Sequence, residues 1–379
     1  MGAMKLTRIE VGYLDGRRPR HAGRNARLGD HGVDIRVAMA RVTANDGSIG
    51  VGLVRADRKR LASLVGSDLD DAVDPVNGVA EALRALELPL LDLVARREGV
   101  PVFRFLGTKG ADGDGRSLRV PCYDTSLYFD DLHVEDHDEA AALIAGEARE
   151  GVERGHRAFK IKVGRGARHM PLEEGTRRDI LVIRAVREAV GPDARLMIDA
   201  NNGYNLNLAR RVLTETADCG IHWLEEAFHE DAVLYRELKD WLVREGLDIL
   251  IADGEGDASP RLLEWAREGL VDVVQYDIIS PGISQWLAIG RELEPWGVVA
   301  APHHYGTIVG NYVACHLAAA LPTFGFAEWD EGAIDGVRAD GYAIEDGTVV
   351  VPESPGFGLE LEPDIFARAV ASNGYALSA

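Results

Sequence analysis

Eight short apolar segments alternate with segments of helical character between residues 120 and 328, and this alternation most constrains the fold. The strand-like segments are VPCYD (120–124), FKIKV (159–163), RLMID (195–199), IHWLE (221–225), DILIAD (248–253), DVVQYD (272–277), GVVAAP (297–302) and TFGFAE (323–328). Eight strand–helix units predict a parallel (β/α)8 barrel. A doubly wound open sheet is the alternative, but the sequence has no GxGxxG or GxxxxGK[ST] motif to support a nucleotide site.

The segments on either side of the barrel predict a second, α+β domain. Residues 1–55 alternate like an antiparallel sheet, with a hairpin turn at 45–47 and a glycine-rich loop over 16–32. Residues 56–100 have helical periodicity. We place the domain boundary in GTKGADGDGRS (107–117) and expect the C-terminal tail to rejoin the N-terminal sheet. The predicted division is 1–117 with 332–379 for the capping domain and 118–331 for the barrel.

Composition narrows the class of protein. With 42 basic and 62 acidic residues the net charge is −20, which disfavours nucleic acid and anionic membranes as partners. No apolar run approaches the roughly 20 residues that span a bilayer, and the N-terminus has no signal-peptide core. The three cysteines lie far apart without a CxxC pair, so we expect neither zinc nor disulfides. We expect a cytoplasmic protein.

Charged side chains occur at or near the ends of seven predicted barrel strands, where barrel enzymes build their active sites. They are Lys160, Lys162, Asp199, Glu225, Glu255, Asp277, His303 and Glu328. A single charge at a strand end usually caps the next helix or is solvated. A series that converges on one cavity predicts a catalytic site.

Asp199, Glu225 and Glu255 come from three consecutive strands and would surround one point. Three clustered carboxylates repel one another, so a divalent cation is expected between them. Oxygen ligands without Cys or His favour Mg²⁺. Asp253 and Asp257 flank Glu255 and are the alternative ligands.

Two kinds of base lie beside this predicted metal site. Lys160 and Lys162 share one face of their strand, and their neighbours are apolar, so that face is the barrel interior. Two buried lysines would lower each other's pKa towards the range of a general base. His303 with Asp277 on the neighbouring strand forms a second possible base, and we favour His303 over the adjacent His304 because it follows the strand directly.

The ordered series KxK, Asp-Ala-Asn, WLEE, GE, Asp, PH and Glu, together with the closing PGFGLELE, resembles the mandelate racemase group of the enolase superfamily. The resemblance implies a modified, enolase-like barrel with a capping domain. It also implies Mg²⁺ held by the three carboxylates, and abstraction of the proton next to a substrate carboxylate to give an enediolate.

The same resemblance implies a role for each remaining residue. Lys162 would be the base on one face, and Lys160 would hold the substrate carboxylate. His303, oriented by Asp277, would act on the other face, and Glu328 would hydrogen-bond the enediolate oxygen. The family usually has EEP after the fourth strand, whereas this chain has EEA at 225–227, so Glu226 is given a supporting role.

Substrate contacts are expected from the N-terminal loop, the first barrel strand and the Asp-Ala-Asn motif. The candidates are Arg17, Arg20, Arg24, Tyr123, Asp124, Ser126, Tyr128 and Asn201. Arginines over the barrel mouth would suit a polyhydroxy acid or a diacid. A solvated charged loop is the alternative for most of them.

The leading hypothesis is an acid sugar dehydratase that yields a 2-keto-3-deoxy acid. A racemase or epimerase is the alternative, because two opposed bases can also invert a stereocentre. A cycloisomerase is less favoured, because such relatives place a lysine where this chain has Asp277. A barrel that binds metal and ligand without catalysis is a further possibility. The resemblance also implies a homo-oligomer, a dimer or an octamer.

Overall fold

The computed structural model describes residues 3–107 and 117–378. The predicted domain boundary at 107–117 therefore lies almost wholly outside the described residues, and the division into domains stays a prediction. None of the helices in the described ranges has the length and apolarity to cross a membrane.

The N-terminal region forms an antiparallel sheet of β1 (Leu6–Ala22), β2 (Gly32–Ala44) and β3 (Ile49–Leu53). The predicted hairpin turn joins β2 to β3, and Gly47 there has φ +87°, a conformation that favours glycine. The predicted loop over 16–32 is wrong in its first part, because β1 continues to Ala22 and pairs with β2 beyond an irregularity after Arg17. Arg17, Arg18 and Arg20 therefore lie on a strand and not in a loop.

Helices and two short strands complete the N-terminal region. They are α1 (Arg58–Ala62), β4 (Val73–Asp74), β5 (Gly78–Val79), α2 (Glu87–Glu98) and α3 (Val102–Leu106), with a 3₁₀ turn over Glu81–Leu86. Helix α2 packs on β3 through Leu88 and Leu93, which are buried. It ends at Gly99, whose left-handed backbone lets its N–H reach the carbonyl oxygens of the last turn.

Eight parallel strands form the barrel, which confirms the predicted fold class. They are β6 (Arg119–Leu127), β7 (Ala158–Lys162), β8 (Arg195–Asp199), β9 (Ile221–Glu225), β10 (Leu250–Asp253), β11 (Val273–Val274), β12 (Val299–Ala300) and β13 (Ala327–Trp329). Consecutive strands pair in parallel from β6 to β12, and β13 pairs with β6. A bridge between Ala300 and Phe324 closes the remaining gap.

Seven helices connect these strands and cover the outside of the barrel. They are α4 (His137–Glu153), α5 (Leu172–Val190), α6 (Leu206–Glu215), α7 (Ala232–Glu245), α8 (Leu262–Arg267), α9 (Ile283–Leu293) and α10 (Val309–Ala318). Single 3₁₀ turns occur over Arg165–Ala167, Ala217–Cys219 and Glu294–Trp296.

The C-terminal tail contributes to both regions. It contains β14 (Ala333–Ile334), β15 (Val337–Arg338), β16 (Ala343–Glu345), β17 (Thr348–Val350), β18 (Glu360–Leu361), α11 (Pro363–Ser372) and β19 (Tyr375–Ser378). Strands β14 and β19 pair with β1, as expected for a tail that rejoins the N-terminal sheet. Strand β17 instead pairs antiparallel with β6 and extends the barrel sheet.

An apolar layer fills the barrel interior and sets the height of the site. It consists of Tyr123, Ala158, Met197, Trp223, Ala252, Val273 and Ala301. Side chains on a strand alternate between its two faces, so the residue two positions later also faces inward, one layer closer to the carboxyl ends. By this rule Asp199, Glu225 and His303 face inward, one layer above Met197, Trp223 and Ala301 respectively.

Candidate active site

The three predicted metal ligands converge. Carboxylate oxygens of Asp199, Glu225 and Glu255 lie within 4.8 Å of one another, and the first two side chains are fully buried. Oε2 of Glu255 is buried and lies 3.2 Å from Nε2 of His303, without a well-aligned hydrogen bond among the described residues. Three carboxylates this close repel one another, and hard oxygen donors are what Mg²⁺ prefers. The residues present therefore fit this cation.

The alternative ligands lie elsewhere. Asp253 faces away from the interior and accepts a 2.5 Å hydrogen bond from the Tyr235 hydroxyl, and burial raises its pKa well above the usual value. Asp257 is exposed. Neither joins the cluster.

The two lysines neutralise the carboxylates to different extents. Nζ of Lys160 lies 2.6 Å from Oε1 of Glu225, 3.3 Å from Oε1 of Glu328 and 3.7 Å from Oδ2 of Asp199. Nζ of Lys162 has one carboxylate partner in the structure, Asp199, and also lies 5.3 Å from the ring centre of Tyr128. Lys160 is therefore held by three anions and Lys162 by one.

This arrangement reverses the expected effect on the lysines. Burial by itself lowers the pKa of each amine, but nearby carboxylates outweigh it, with Glu225 the main one for Lys160 and Asp199 for Lys162. The pKa values of both lysines are raised. The prediction that the pair lowers its own pKa is wrong for these metal-free carboxylates, because the anions outnumber the two amines.

His303 and Asp277 form the predicted pair. Nδ1 of His303 lies 2.6 Å from Oδ1 of Asp277, and Nε2 lies 3.2 Å from Oε2 of Glu255 and 3.9 Å from Oε2 of Glu328. Burial lowers the pKa of His303, but Glu255, Glu328 and Asp277 raise it to about 10. The imidazole is thus held as a cation with Nε2 towards the carboxylate cluster.

Glu328 is bound by donors from the first and seventh barrel strands and the segments that follow them. It accepts hydrogen bonds from the Thr125 hydroxyl at 2.7 Å and from the backbone N–H groups of His304 and Tyr305. Burial raises its pKa, but Lys160 and the histidines lower it well below the usual value. Glu328 thus accepts hydrogen bonds here and lies 3.3 Å from Nζ of Lys160, and its hydrogen bond to an enediolate oxygen stays a prediction.

His304 is a structural residue, as the choice of His303 implied. Its backbone N–H and its Nε2 both bond Glu328, and burial lowers its pKa. The side chain is buried beside the strand and is not among the inward-facing groups.

Comparison with protein families identifies this barrel. Residues 143–365 match the family described as Enolase C-terminal domain-like. The chain belongs to the enolase superfamily. The resemblance to its mandelate racemase group is confirmed by the relatives that follow.

Two of the most similar solved structures come from Geobacillus. Galacturonate dehydratase from Geobacillus sp., crystallised with D-galacturonate and 5-keto-4-deoxy-D-galacturonate, is 46% identical, with all of both chains covered and a TM-score of 0.95. A mandelate racemase/muconate lactonizing protein from Geobacillus sp. Y412MC10, crystallised with magnesium and tartrate, is 46% identical, with 100% and 98% of the chains covered and a TM-score of 0.97. The magnesium in that structure supports a Mg²⁺ requirement for the present chain.

A curated relative has a different activity. D-galactarolactone cycloisomerase from Agrobacterium fabrum is 30% identical over 297 residues, which are 75% of this chain and 72% of the relative. Taken together, the comparisons support Mg²⁺-dependent acid sugar dehydration by this enolase superfamily member.

Several residues expected to contact substrate lie elsewhere in this superfamily member. Tyr123 belongs to the apolar layer beneath the cluster. Asp124 and Ser126 face outward between the strand and α4, where Asp124 accepts hydrogen bonds from Ser126 and Arg154. Consecutive residues of a strand face opposite sides, so Tyr123 and Asp124 cannot both point into the barrel.

The expected arginine contacts are also corrected. Arg17 is an exposed side chain 3.4 Å from Asp34 on the outer sheet. Arg20 lies 2.9 Å from Glu147 of α4 and donates to Ser126. Arg24 is exposed, and its backbone bridges to Phe129. None of the three is in contact with the carboxylate cluster.

Asn201 does reach the cluster, and Glu226 supports it. Nδ2 of Asn201 donates to Oε2 of Glu226 at 2.7 Å and to Oε1 of Glu255 at 3.3 Å, while its buried Oδ1 has no partner among the described residues. Glu226 also lies 3.4 Å from Arg27. Burial, Glu255 and Asp199 raise the pKa of Glu226 to about 10.

Sequence reasoning missed some interior groups. Gln275 donates to Oε2 of Glu225 at 2.8 Å, and Trp223 donates to the same oxygen at 3.1 Å. Thr125 holds Glu328. Gln275 and Thr125 could have been found by counting two residues on from Val273 and Tyr123. His31 and Tyr305 come from loops, and no motif marked them.

Proposed function

We propose that this chain dehydrates an acid sugar, with D-galacturonate as the first candidate substrate, and that Lys162 and His303 perform the proton transfers. The observation that carries the proposal is the placement of two proton-transfer groups around one carboxylate cluster. Lys162 contacts the cluster through Asp199, and His303 contacts it through Glu255. Around the barrel, β7 and β12 are separated by β6 and β13 in one direction and by β8 to β11 in the other.

The candidate reaction is a β-elimination. In galacturonate the carboxylate is C6, so the acidic C–H is at C5 and the hydroxyl that leaves is at C4. Loss of the C5 proton forms an enediolate, the C4 hydroxyl takes up a proton and departs as water, and the resulting enol becomes a ketone at C5. The 5-keto-4-deoxy-D-galacturonate crystallised with the Geobacillus galacturonate dehydratase has this pattern.

The contacts support a division of roles between the side chains. Lys160 is held by three carboxylates and keeps its proton, which suits a fixed cation beside the substrate carboxylate. Lys162 has one such partner, so it is the amine that can give up its proton and act as base at C5. The cationic His303 then donates the Nε2 proton to the leaving hydroxyl. When bound by Asp199, Glu225 and Glu255, Mg²⁺ supplies the charge that offsets these carboxylates and stabilises the developing enediolate.

Epimerisation remains the second candidate, because the same opposed groups could deliver a proton to the other face. Incubation in D₂O separates the two. Dehydration consumes galacturonate and gives the keto-deoxy acid, whereas epimerisation gives α-deuterated acid of inverted configuration without loss of water.

The test is proton NMR of D-galacturonate, and of other acid sugars, with protein and Mg²⁺ in D₂O. We expect the keto-deoxy product from the wild type and a loss of about 10²–10⁴-fold in rate for Lys162→Ala and for His303→Asn. Lys59→Ala removes an exposed lysine and is the matched control, with an unchanged rate. Wild-type protein that turns over no acid sugar, or a Lys162→Ala variant with full activity, would contradict the proposal.

We further propose a cytoplasmic homo-oligomer, a dimer or an octamer. The three cysteines are buried free thiols, which suits a reducing compartment. The oligomeric state rests on the family resemblance, and light scattering on the purified protein tests it.

A further inference from the structure

Two buried polar atoms without partners mark a region beside the proton-transfer groups. Nε2 of His31 and the hydroxyl of Tyr305 are buried and make no hydrogen bond among the described residues. A buried polar atom left unpaired is costly, so each of the two calls for an explanation. A bound ligand with hydroxyl or carbonyl groups would satisfy both.

These atoms belong to one aromatic cluster, formed by His31, Tyr128 and Tyr305. The rings of Tyr128 and Tyr305 stack with centres 4.8 Å apart. The ring of His31 lies edge-on to both, at 4.8 Å from Tyr128 and 5.3 Å from Tyr305. The cluster joins the segment before β2 to the loops after β6 and β12, so the N-terminal region and the barrel build it together.

The cluster adjoins the reacting groups. Nζ of Lys162 lies 5.3 Å from the ring centre of Tyr128, and the backbone N–H of Tyr305 donates to Glu328. A substrate whose carboxylate and C–H bond lie between Lys162 and His303 would extend its far end towards these rings.

The cluster offers no free positive charge. Arg18 lies 4.8 Å from the ring centre of Tyr305, but its guanidinium donates two hydrogen bonds to Asp330, at 2.8 and 2.7 Å, and both side chains are buried. Burial, with Lys162 and Arg18 adding to it, lowers the pKa of His31 to about 4, so its imidazole is neutral near pH 7.

The neighbouring basic residue Arg20 is also paired. Its guanidinium lies 2.9 Å from Glu147, 3.6 Å from Glu150 and 3.8 Å from Asp130. A second carboxylate at the far end of a diacid would therefore be buried without a cation, which is strongly unfavourable.

We propose that His31, Tyr128 and Tyr305 form the subsite for the far end of the substrate, and that this subsite selects acid sugars with one carboxylate over sugar diacids. The inference rests on the proposed function and adds the residues that determine its specificity. The Nε2 of His31 and the hydroxyl of Tyr305 hydrogen-bond an uncharged terminal group.

Two substrates test whether the subsite rejects a second carboxylate. D-galacturonate and galactarate differ only in whether the far carbon is an aldehyde or a carboxylate. For the wild type we expect kcat/KM for galacturonate to exceed that for galactarate at least about 10²-fold. Tyr305→Phe keeps the ring and should lower kcat/KM for galacturonate about two- to tenfold. Tyr13→Phe, on the exposed outer sheet, is the matched control and should change neither value.

A gain-of-function variant tests the charge argument directly. His31→Lys adds a cation to the subsite, so the ratio of kcat/KM for galactarate to that for galacturonate should rise at least tenfold. Equal wild-type values for the two acids, or a ratio unchanged in His31→Lys, would overturn the subsite while leaving the dehydratase proposal standing.

If no acid sugar is turned over, the proposed function is wrong, and a binding measurement then still tests the subsite. Thermal shift with Mg²⁺ and each acid reports binding without chemistry. We expect galacturonate to raise Tm more than galactarate does, and Tyr305→Phe to reduce that rise. Equal shifts from the two acids would overturn the subsite independently of activity.

Discussion

His303 and Asp277 follow neighbouring barrel strands, and a 2.6 Å hydrogen bond joins Nδ1 of the imidazole to Oδ1 of the carboxylate. The bond leaves Nε2 as the nitrogen that faces the carboxylate cluster, 3.2 Å from Glu255. A backbone bridge between the same two residues fixes their register. We therefore expect Asp277 to be a positioning residue that acts through His303.

We expect Asp277→Asn to lower kcat about 10²-fold or more, because the amide neither orients nor charges the imidazole as the carboxylate does. KM should change little, since Asp277 acts through the ring of His303. Steady-state kinetics measures both. If the loss were confined to KM, with kcat preserved, Asp277 would be a binding residue and its assignment here would be wrong.

Metal binding gives a prediction that does not depend on turnover. Glu255→Gln should weaken Mg²⁺ binding at least tenfold by calorimetry, and it should remove the rise in Tm that Mg²⁺ produces in the wild type. Asp257→Asn, two residues along the chain and exposed, is the control and should bind Mg²⁺ like the wild type. Equal weakening in both variants would indicate a general charge effect and contradict a specific ligand role for Glu255.

The site residues on barrel strands could be predicted because two simple rules place them. Carboxyl ends of parallel strands meet at one mouth, and every second residue faces inward. Those rules bring Asp199 and Glu225 to one point and put both lysines of β7 inside. Applied consistently, they would also have excluded Asp124 as a companion of Tyr123.

Two residues of the aromatic cluster could not be predicted in this way, whereas Tyr128 directly follows the first barrel strand. His31 and Tyr305 lie in irregular connections, whose path depends on packing between distant segments rather than on local periodicity. The prediction that arginines of the segment 16–32 contact the substrate was wrong for a related reason. Strand β1 extends through it, so alternate side chains face opposite sides: Arg17 is exposed, while Arg18 is buried against Asp330.

The buried pair of Arg18 and Asp330 should make a large contribution to stability. Asp330→Asn leaves the guanidinium buried without its counter-ion, and breaking such a pair costs about 3–5 kcal/mol. The exposed pair of Arg17 and Asp34, with side chains 77% and 84% exposed, is the matched control, and Arg17→Ala should change stability by less than about 0.5 kcal/mol.

Urea unfolding of the two variants measures these effects. The same preparations test substrate contact, since Arg17→Ala should also leave kcat/KM unchanged. A drop in kcat/KM for Arg17→Ala would restore that residue as a substrate contact. Equal stability losses in both variants would contradict the burial of the Arg18 pair.

A buried histidine outside the active site predicts how stability depends on pH. Nδ1 of His316 accepts from the backbone N–H of Phe103 at 3.0 Å, and Nε2 lies 2.7 Å from the hydroxyl of Tyr342, which donates to the carbonyl of Phe357. This chain of bonds suits a neutral ring protonated at Nε2. Burial lowers the pKa of His316 to about 3.

The sign of the effect follows from proton binding. An unfolded histidine takes up a proton below about pH 6.5, whereas folded His316 does not until about pH 3. The unfolded state therefore binds more protons over this range, and the folded state loses stability as the pH falls. Between pH 7 and pH 5 this residue should account for a loss of about 2 kcal/mol.

Urea unfolding at both pH values isolates this contribution. His316→Asn will lower stability at pH 7, because it removes a bond to Tyr342, but the further loss between pH 7 and pH 5 should shrink by about 2 kcal/mol. His229→Asn, at an exposed position, is the control and should keep the wild-type difference. Because the measured quantity is a difference between two pH values within each variant, the packing defect cancels. An unchanged difference in His316→Asn would mean that His316 does not stay neutral in the fold.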